Sequence, residues 1–201
     1  MEMHHFRQKF QNHVPTLQDC SAEFAVLVPL VERPDGLFLL YEVRSAHLRH
    51  HAAEVCFPGG KREPNETFIE CALRETEEEL SIPRSEIHLL GTPDFLCSSG
   101  GFLLRPVLGL VSEAGMAALS PSAAEVSEVF TVPLSFFQTT EPEVYTYDLI
   151  PRVQEDFPYE RVGISPDYPW SGGRVDVPVW YWQGHVIWGM TARLIRGLFS
   201  E

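Results

Sequence analysis

Residues Gly60 to Ile82 read GKREPNETFIECALRETEEELSI, and this stretch decides how the chain folds. Pro64 and Asn65 mark a loop. Thr67 followed three residues later by Glu70 matches a capping box, which predicts a helix over 67–81. Pro83 ends it, because proline has no N–H for the helical ladder. At about 100° per residue, Ile69, Ala72, Leu73, Thr76 and Leu80 fall within one arc and make a core-facing stripe. Glu75, Glu78 and Glu79 fall on the flank beside it, while Glu70 and Glu77 point away. Glu75 and Glu79 stand at i,i+4, where like charges repel, so a cation between them would relieve the repulsion. Oxygen ligands in such a cluster suit Mg²⁺ or Mn²⁺. The competing reading is a solvated acidic face, which the helix dipole disfavours at a C-terminal end.

The spacing around this helix adds a second signal. Gly60, Glu66, Arg74, Glu75, Glu78, Glu79 and Ile82 stand at the positions of the signature box of the Nudix hydrolases, and the sequence resembles that family. Thr76 stands where an aliphatic residue is usual, and Ser81 where glycine is usual. The resemblance implies an α/β (α+β) fold, a Nudix-like mixed β-sheet sandwiched between helices. It also implies metal-dependent hydrolysis of nucleoside diphosphate derivatives. On that basis Glu75, Glu78 and Glu79 would hold the metal, with the Gly60 carbonyl and Glu66 as further ligands. Arg74 would orient a box carboxylate. The general base stays open between Glu78, Glu75 and a downstream acid such as Glu143.

Upstream lies RSAHLRHHAAEVCFPGG, residues 44–60. From Arg44 to Arg62 four basic residues (Arg44, Arg49, Lys61, Arg62) face one acid, Glu54, for a local charge of +3. A positive island beside an acidic box can receive an anionic substrate, although a solvated loop gives the same count. The order Arg44-Ser45, Arg49, Phe57-Pro58-Gly59-Gly60 resembles the coenzyme A diphosphatase branch of the Nudix family. Arg44, Ser45, Arg49, Phe57 and Gly59 are then the expected substrate-binding residues. Ala53 departs from that branch, where glycine is usual, and glycine signals a special φ or a close approach. The loop Cys97–Gly101, the strand ending Arg105-Pro106-Val107, and the run Ile187 to Ala192 are also similar to that branch. Two alternatives stand beside this reading. One is a Nudix hydrolase for ADP-ribose or a dinucleotide. The other is a non-catalytic nucleotide sensor, which the intact acid set disfavours.

Net charge is −13 over 201 residues, so a broad basic face for a nucleic acid polymer is not expected. At 44% hydrophobic and 21% charged the composition is globular, and one domain is expected, its core at about 23–198. Cys20, Cys56, Cys71 and Cys97 form no Cys-x-x-Cys pair, which predicts a reduced, cytoplasmic protein, with Cys56 and Cys71 as core thiols. No apolar run reaches the roughly 20 residues of a membrane helix, so no membrane partner is expected.

The remaining elements follow in order. Residues 1–22 are an N-terminal extension with a short docking helix. Strands are expected at 23–31, with Pro29 suggesting an edge or bulge, and at 37–43 after the turn 33–36. Further strands are expected at 87–95, 102–111, 125–132, 143–150 and 177–183, and a short helix from Pro133. Residues 151–178 read as a surface insertion, open as a lid or a homodimer contact, and 185–198 as the last helix.

Overall fold

The computed structural model describes residues 3–13 and 17–199. Two long strands, β1 (Ala22–Arg33) and β2 (Gly36–Arg44), form the expected hairpin, with Arg33 opposite Gly36. Short strands β3 (Val55–Cys56) and β4 (Gly59–Lys61) follow, then helix α2 (Phe68–Leu80), the exposed helix α1 (Met3–Phe10) preceding them all. After α2 come β5 (Ile87–Gly91), β6 (Leu96–Cys97), β7 (Phe102–Val111), α3 (Glu113–Ala118), β8 (Val126–Pro133) and α4 (Leu134–Thr139). The chain closes with β9 (Glu143–Leu149), α5 (Tyr159–Val162), β10 (Gly173–Trp182), β11 (His185–Trp188) and α6 (Gly189–Leu198).

The main sheet is mixed. Its path runs β3-β2-β1-β7-β5, with β8 also on β2, β4 also on β1 and β6 also on β7. β1 and β7 are parallel, and the other pairs are antiparallel. Both faces are covered, which is why β1 reads as a continuous apolar run rather than an alternation. On one face Ala25, Leu27, Val31, Phe38, Leu40 and Val107 pack with Cys71, Ala72 and Leu80 of α2. On the other, Val28, Leu30, Leu39 and Tyr41 pack with Trp180 and Ile187 of a second sheet, β11-β10-β9, and with Ala192 and Ile195 of α6.

Pro29 is not at an edge. β1 pairs with β4 through residues 24–26 and with β2 through residues 30–33, on the same side. Successive odd-numbered N–H groups of β1 point to that side, where Leu27 N–H donates to the Pro58 carbonyl at 2.9 Å. Pro29 therefore falls where the strand exchanges partners, the one place in a central strand where a missing donor is harmless.

Several boundaries differ from expectation. α1 forms, but all its residues are exposed, so the extension does not dock through it. The strand expected at 87–95 stops at Gly91, and the chain re-enters the sheet only at Leu96. The presumed insertion 151–178 ends inside β10, where Gly173 pairs with Leu149. The last helix starts at Gly189, because His185–Trp188 is a strand turned back on β10 through Gln183 and Gly184, both at positive φ. Trp188 is accordingly exposed rather than packed. All four cysteines are free, and Cys71 is fully buried. Among the described residues no helix is long and apolar enough to cross a membrane.

Candidate functional site

The site lies where the end of β2, strand β4 and helix α2 meet. The α2 entrance is built as expected: Thr67 Oγ1 accepts from Glu70 N at 3.2 Å, and Glu70 Oε2 accepts from Thr67 N at 2.7 Å. At the exit Ser81 takes the left-handed conformation (φ 58°) and donates to the Ser120 carbonyl at 2.8 Å. A non-glycine residue in that region costs about 1 kcal/mol or more, and this hydrogen bond offsets part of it.

Arg74 organises the outer acids. It grips Glu66 with two donors, Nη2 to Oε1 at 2.9 Å and Nε to Oε2 at 3.2 Å. Its Nη1 reaches Glu75 Oε1 at 2.8 Å and Glu78 Oε2 at 3.1 Å. The bidentate grip drops the Glu66 carboxyl to about 2, and the acids in turn raise Arg74. Glu78 itself is exposed.

Glu79 is separate from this clamp. It is buried at 5% exposure, and its Oε2 accepts from Gly59 N–H at 2.8 Å. Arg44 Nη1 stands 3.9 Å from its Oε1. Burial, and then the charge of Glu42, push the Glu79 carboxyl up to about 9. Burial also raises Glu75. Glu75 lies directly over Gly60: a Cβ on that glycine would meet its carboxylate Oε1 at 2.3 Å. A Cβ on Gly59 would meet the Ala25 carbonyl oxygen at 2.3 Å, so the two glycines bring β4 against β1 and α2 at once.

The expected ligand set is thus divided. Glu75 and Glu79 face Gly59 and Gly60, whereas Glu66 and Glu78 are held on the outside by Arg74. The Gly60 carbonyl accepts the Cys71 thiol at 3.6 Å. Among the described residues no three His, Cys, Asp or Glu side chains converge as a ready-made metal cage.

Among the expected substrate-binding residues, Arg44 is at the site and its Nε is buried with no partner. Ser45 is buried, its N–H donating to the Glu125 carbonyl at 2.7 Å, so it closes the loop rather than facing a ligand. Arg49 is exposed, with no ion pair among the described residues. Phe57 is a correction. It is 3% exposed and stacks on Tyr41 at 4.8 Å, the first member of a ring column that continues through Phe130 to His185. Its bulk serves the core. Gly59 is likewise a positioning residue, through Glu79. Ala53 sits at φ 59°, the conformation that makes glycine the easier residue there. Its N–H donates to the Arg44 carbonyl at 3.1 Å, and Arg44 N–H to the Glu54 carbonyl at 2.9 Å, so the loop folds back on Arg44.

Two acids escaped the sequence reading. Glu42 stands in β2 opposite Cys56, has no exposed surface, and is pushed up to about 7 by burial. Its signal was an acid inside the apolar run LFLLYEV. Glu125 is the downstream acid whose charge reaches Glu42 and Glu75. Glu143, the expected rival base, lies in the second sheet and accepts from Tyr145 Oη at 2.7 Å.

A family model described as NUDIX domain matches residues 22–142. The chain belongs to the Nudix family. Two Nudix relatives, each bearing the name uncharacterized Nudix hydrolase NudL, are from Photorhabdus laumondii and Yersinia enterocolitica. The first is 36% identical over 98% of this chain and 95% of the relative. The second is 36% identical over 98% and 91%. A solved Nudix hydrolase from M. smegmatis, RenU, aligns with a TM-score of 0.48 at 20% identity over 58% of this chain and 73% of that one. As a Nudix hydrolase this protein is an enzyme of the pyrophosphohydrolase class. Beyond the matched residues, Thr191 Oγ1 donates to the Val55 carbonyl at 3.1 Å, tying α6 to the strand that bears Cys56.

Proposed function

We propose that this Nudix hydrolase cleaves the diphosphate linkage of coenzyme A or its thioesters, giving 3′,5′-ADP and 4′-phosphopantetheine or its acyl form. The observation that carries this reading is Arg44. Its side chain stands beside Glu79 with about a quarter of its surface exposed, a cation at the site that a phosphate oxygen can meet. Exposed Arg49 on the same loop is free to take a second phosphate.

A Mg²⁺ or Mn²⁺ ion fits the donor chemistry, though not as a preassembled cage. Glu75 and Glu79 are oxygen donors beside the two glycines, Glu75 held by Arg74 at 2.8 Å and Glu79 Oε1 faced only by the distant Arg44. Such a cation supplies Lewis acidity toward the phosphoryl oxygens and makes water a better nucleophile. The chain does the rest. Gly59 N–H orients Glu79. Arg74 holds Glu75 and Glu78 in place, with Glu66 as its anchor. Glu78 or Glu75 accepts the proton from the attacking water, and Glu78 is the solvent-facing one of the two. Arg44 and Arg49 neutralise the 3′-phospho-ADP half. The free thiols support action in the cytoplasm.

The test is substrate discrimination. Coenzyme A should exceed its dephospho form in kcat/KM by roughly tenfold to a hundredfold, the equivalent of one charge-assisted contact of about 1.5–3 kcal/mol. Arg49→Ala should shrink that preference and leave the dephospho substrate nearly unaffected. Equal use of both substrates by the wild type would move the assignment to a nucleotide without a 3′-phosphate, such as ADP-ribose or a dinucleotide.

A further inference from the structure

We propose that β9 is a docking edge for a second copy of this chain, the two β9 strands pairing antiparallel about a two-fold axis at Thr146. The inference is independent of which nucleotide the enzyme cleaves.

β9 (Glu143–Leu149) is the last strand of the sheet β11-β10-β9, and every one of its residues is exposed. The neighbouring hairpin determines which of its backbone groups are open. Trp182 and His185 face each other across the two-residue turn Gln183-Gly184, so the even-numbered residues of β10 turn their hydrogen-bonding groups toward β11. Pro178 is one of these, and its missing N–H costs the β9 ladder nothing. The odd-numbered residues of β10 then bond Glu143, Tyr145, Tyr147 and Leu149. The N–H and C=O groups of Val144, Thr146 and Asp148 turn to the open edge. Among the described residues no backbone group outside the sheet bonds to them.

A free strand edge is a template for another strand, and folds normally blunt it with short length, a bulge, Lys or Pro. β5, at the end of the main sheet's path, is protected in this way: it is five residues long, and its pairing with β7 shifts between Leu89 and Gly91. β9 has none of these devices. It contains no Lys and no Pro, and its register with β10 is unbroken from Glu143 to Leu149. It also holds Val144, Tyr145 and Tyr147 in water at 49%, 57% and 47% exposure.

The strand fits its own reverse. With the axis at Thr146, that residue meets its counterpart, and Val144 meets Asp148 of the second copy. These outward-turned positions become the hydrogen-bonded pairs. Tyr145 meets the second copy's Tyr147 in a non-hydrogen-bonded pair, where side chains approach most closely and aromatic pairs stabilise. Glu143 meets Leu149. No acid stands opposite an acid, although each chain carries a net charge of −13. The pairing occupies the edge on both copies, so assembly stops at two.

Sedimentation velocity of the full chain over a concentration series tests this. Wild type should show a monomer–dimer equilibrium. Thr146→Pro removes both hydrogen bonds of the pair on the axis, leaves the β10 ladder intact, and should weaken dimerisation roughly tenfold to a hundredfold. Thr146→Lys keeps the N–H but sets two ammonium groups face to face, and it too should weaken the dimer; it decides the matter if Thr146→Pro fails to fold. Thr146→Val should dimerise like wild type. Val144→Lys sets a cation opposite Asp148 and should tighten the dimer. A wild type that stays monomeric at every concentration leaves the edge to another partner and overturns the proposal. So does a dimer undiminished in Thr146→Lys, a Val144→Lys dimer no tighter than wild type, or an assembly larger than two.

Discussion

Replacing Glu79 by Gln should make the metal-free protein more stable. Glu79 is buried, and its carboxyl is pushed up to about 9 from an ordinary value of 4.5. At pH 7 an unfolded glutamate is ionised while this one is held protonated, so folding takes up a proton. A raised carboxyl of this kind leaves stability intact below about 4.5 and erodes it as pH rises toward 9. At about 1.4 kcal/mol per pH unit, the penalty at pH 7 is about 3 kcal/mol. Gln keeps the acceptor for Gly59 N–H and carries no charge, so it avoids the penalty. For a chain of this size that corresponds to a melting increase on the order of 6–12 °C. The assay is urea unfolding in chelator at about pH 5, 7 and 9. Wild type should lose stability across that range, and Glu79→Gln should flatten most of the slope. Saturating Mn²⁺ should reverse the ranking, because only the wild-type site gains a ligand. A Glu79→Gln protein less stable than wild type in chelator at about pH 7, or wild-type stability that climbs with pH, would refute the argument.

Three further outcomes follow from particular contacts. Gly60→Ala should fold but lose most turnover, because its Cβ lands on the movable Glu75 carboxylate rather than on backbone; near-normal kcat would refute the placement of Glu75. Ala53→Gly should stabilise by about 1 kcal/mol, since φ is 59° there and glycine removes the strain; a drop in the urea midpoint would count against it. Phe57→Ala should cost about 3–5 kcal/mol by opening the ring column against Tyr41, with KM little changed in whatever protein remains folded. A large KM increase at native stability would return Phe57 to the substrate site.

The acidic helix was legible from local rules alone. Thr67 and Glu70 determine its start, Pro83 its end, and the 3.6-residue period its buried stripe, all interactions within a few residues. The strained positions were legible through the family resemblance instead: Ala53 and Ser81 stand where it makes glycine usual, and both adopt positive φ. Side-chain roles that depend on distant partners were not. Phe57 sits in a motif that suggested ligand contact, and only its stacking on Tyr41 makes it core. The three flank acids look equivalent on a wheel, yet Gly59 draws Glu79 inward and Arg74 draws Glu78 outward. Pro29 reads as an edge residue until the strand is seen to exchange β4 for β2 at that point. Glu42 lies 33 residues before Glu75, and an acid inside the apolar run LFLLYEV says only that it is unusual, not what it faces. Pairing β2 with β3 and laying α2 across that face sets the two on one side of the sheet, a placement made by the sheet rather than by any local preference.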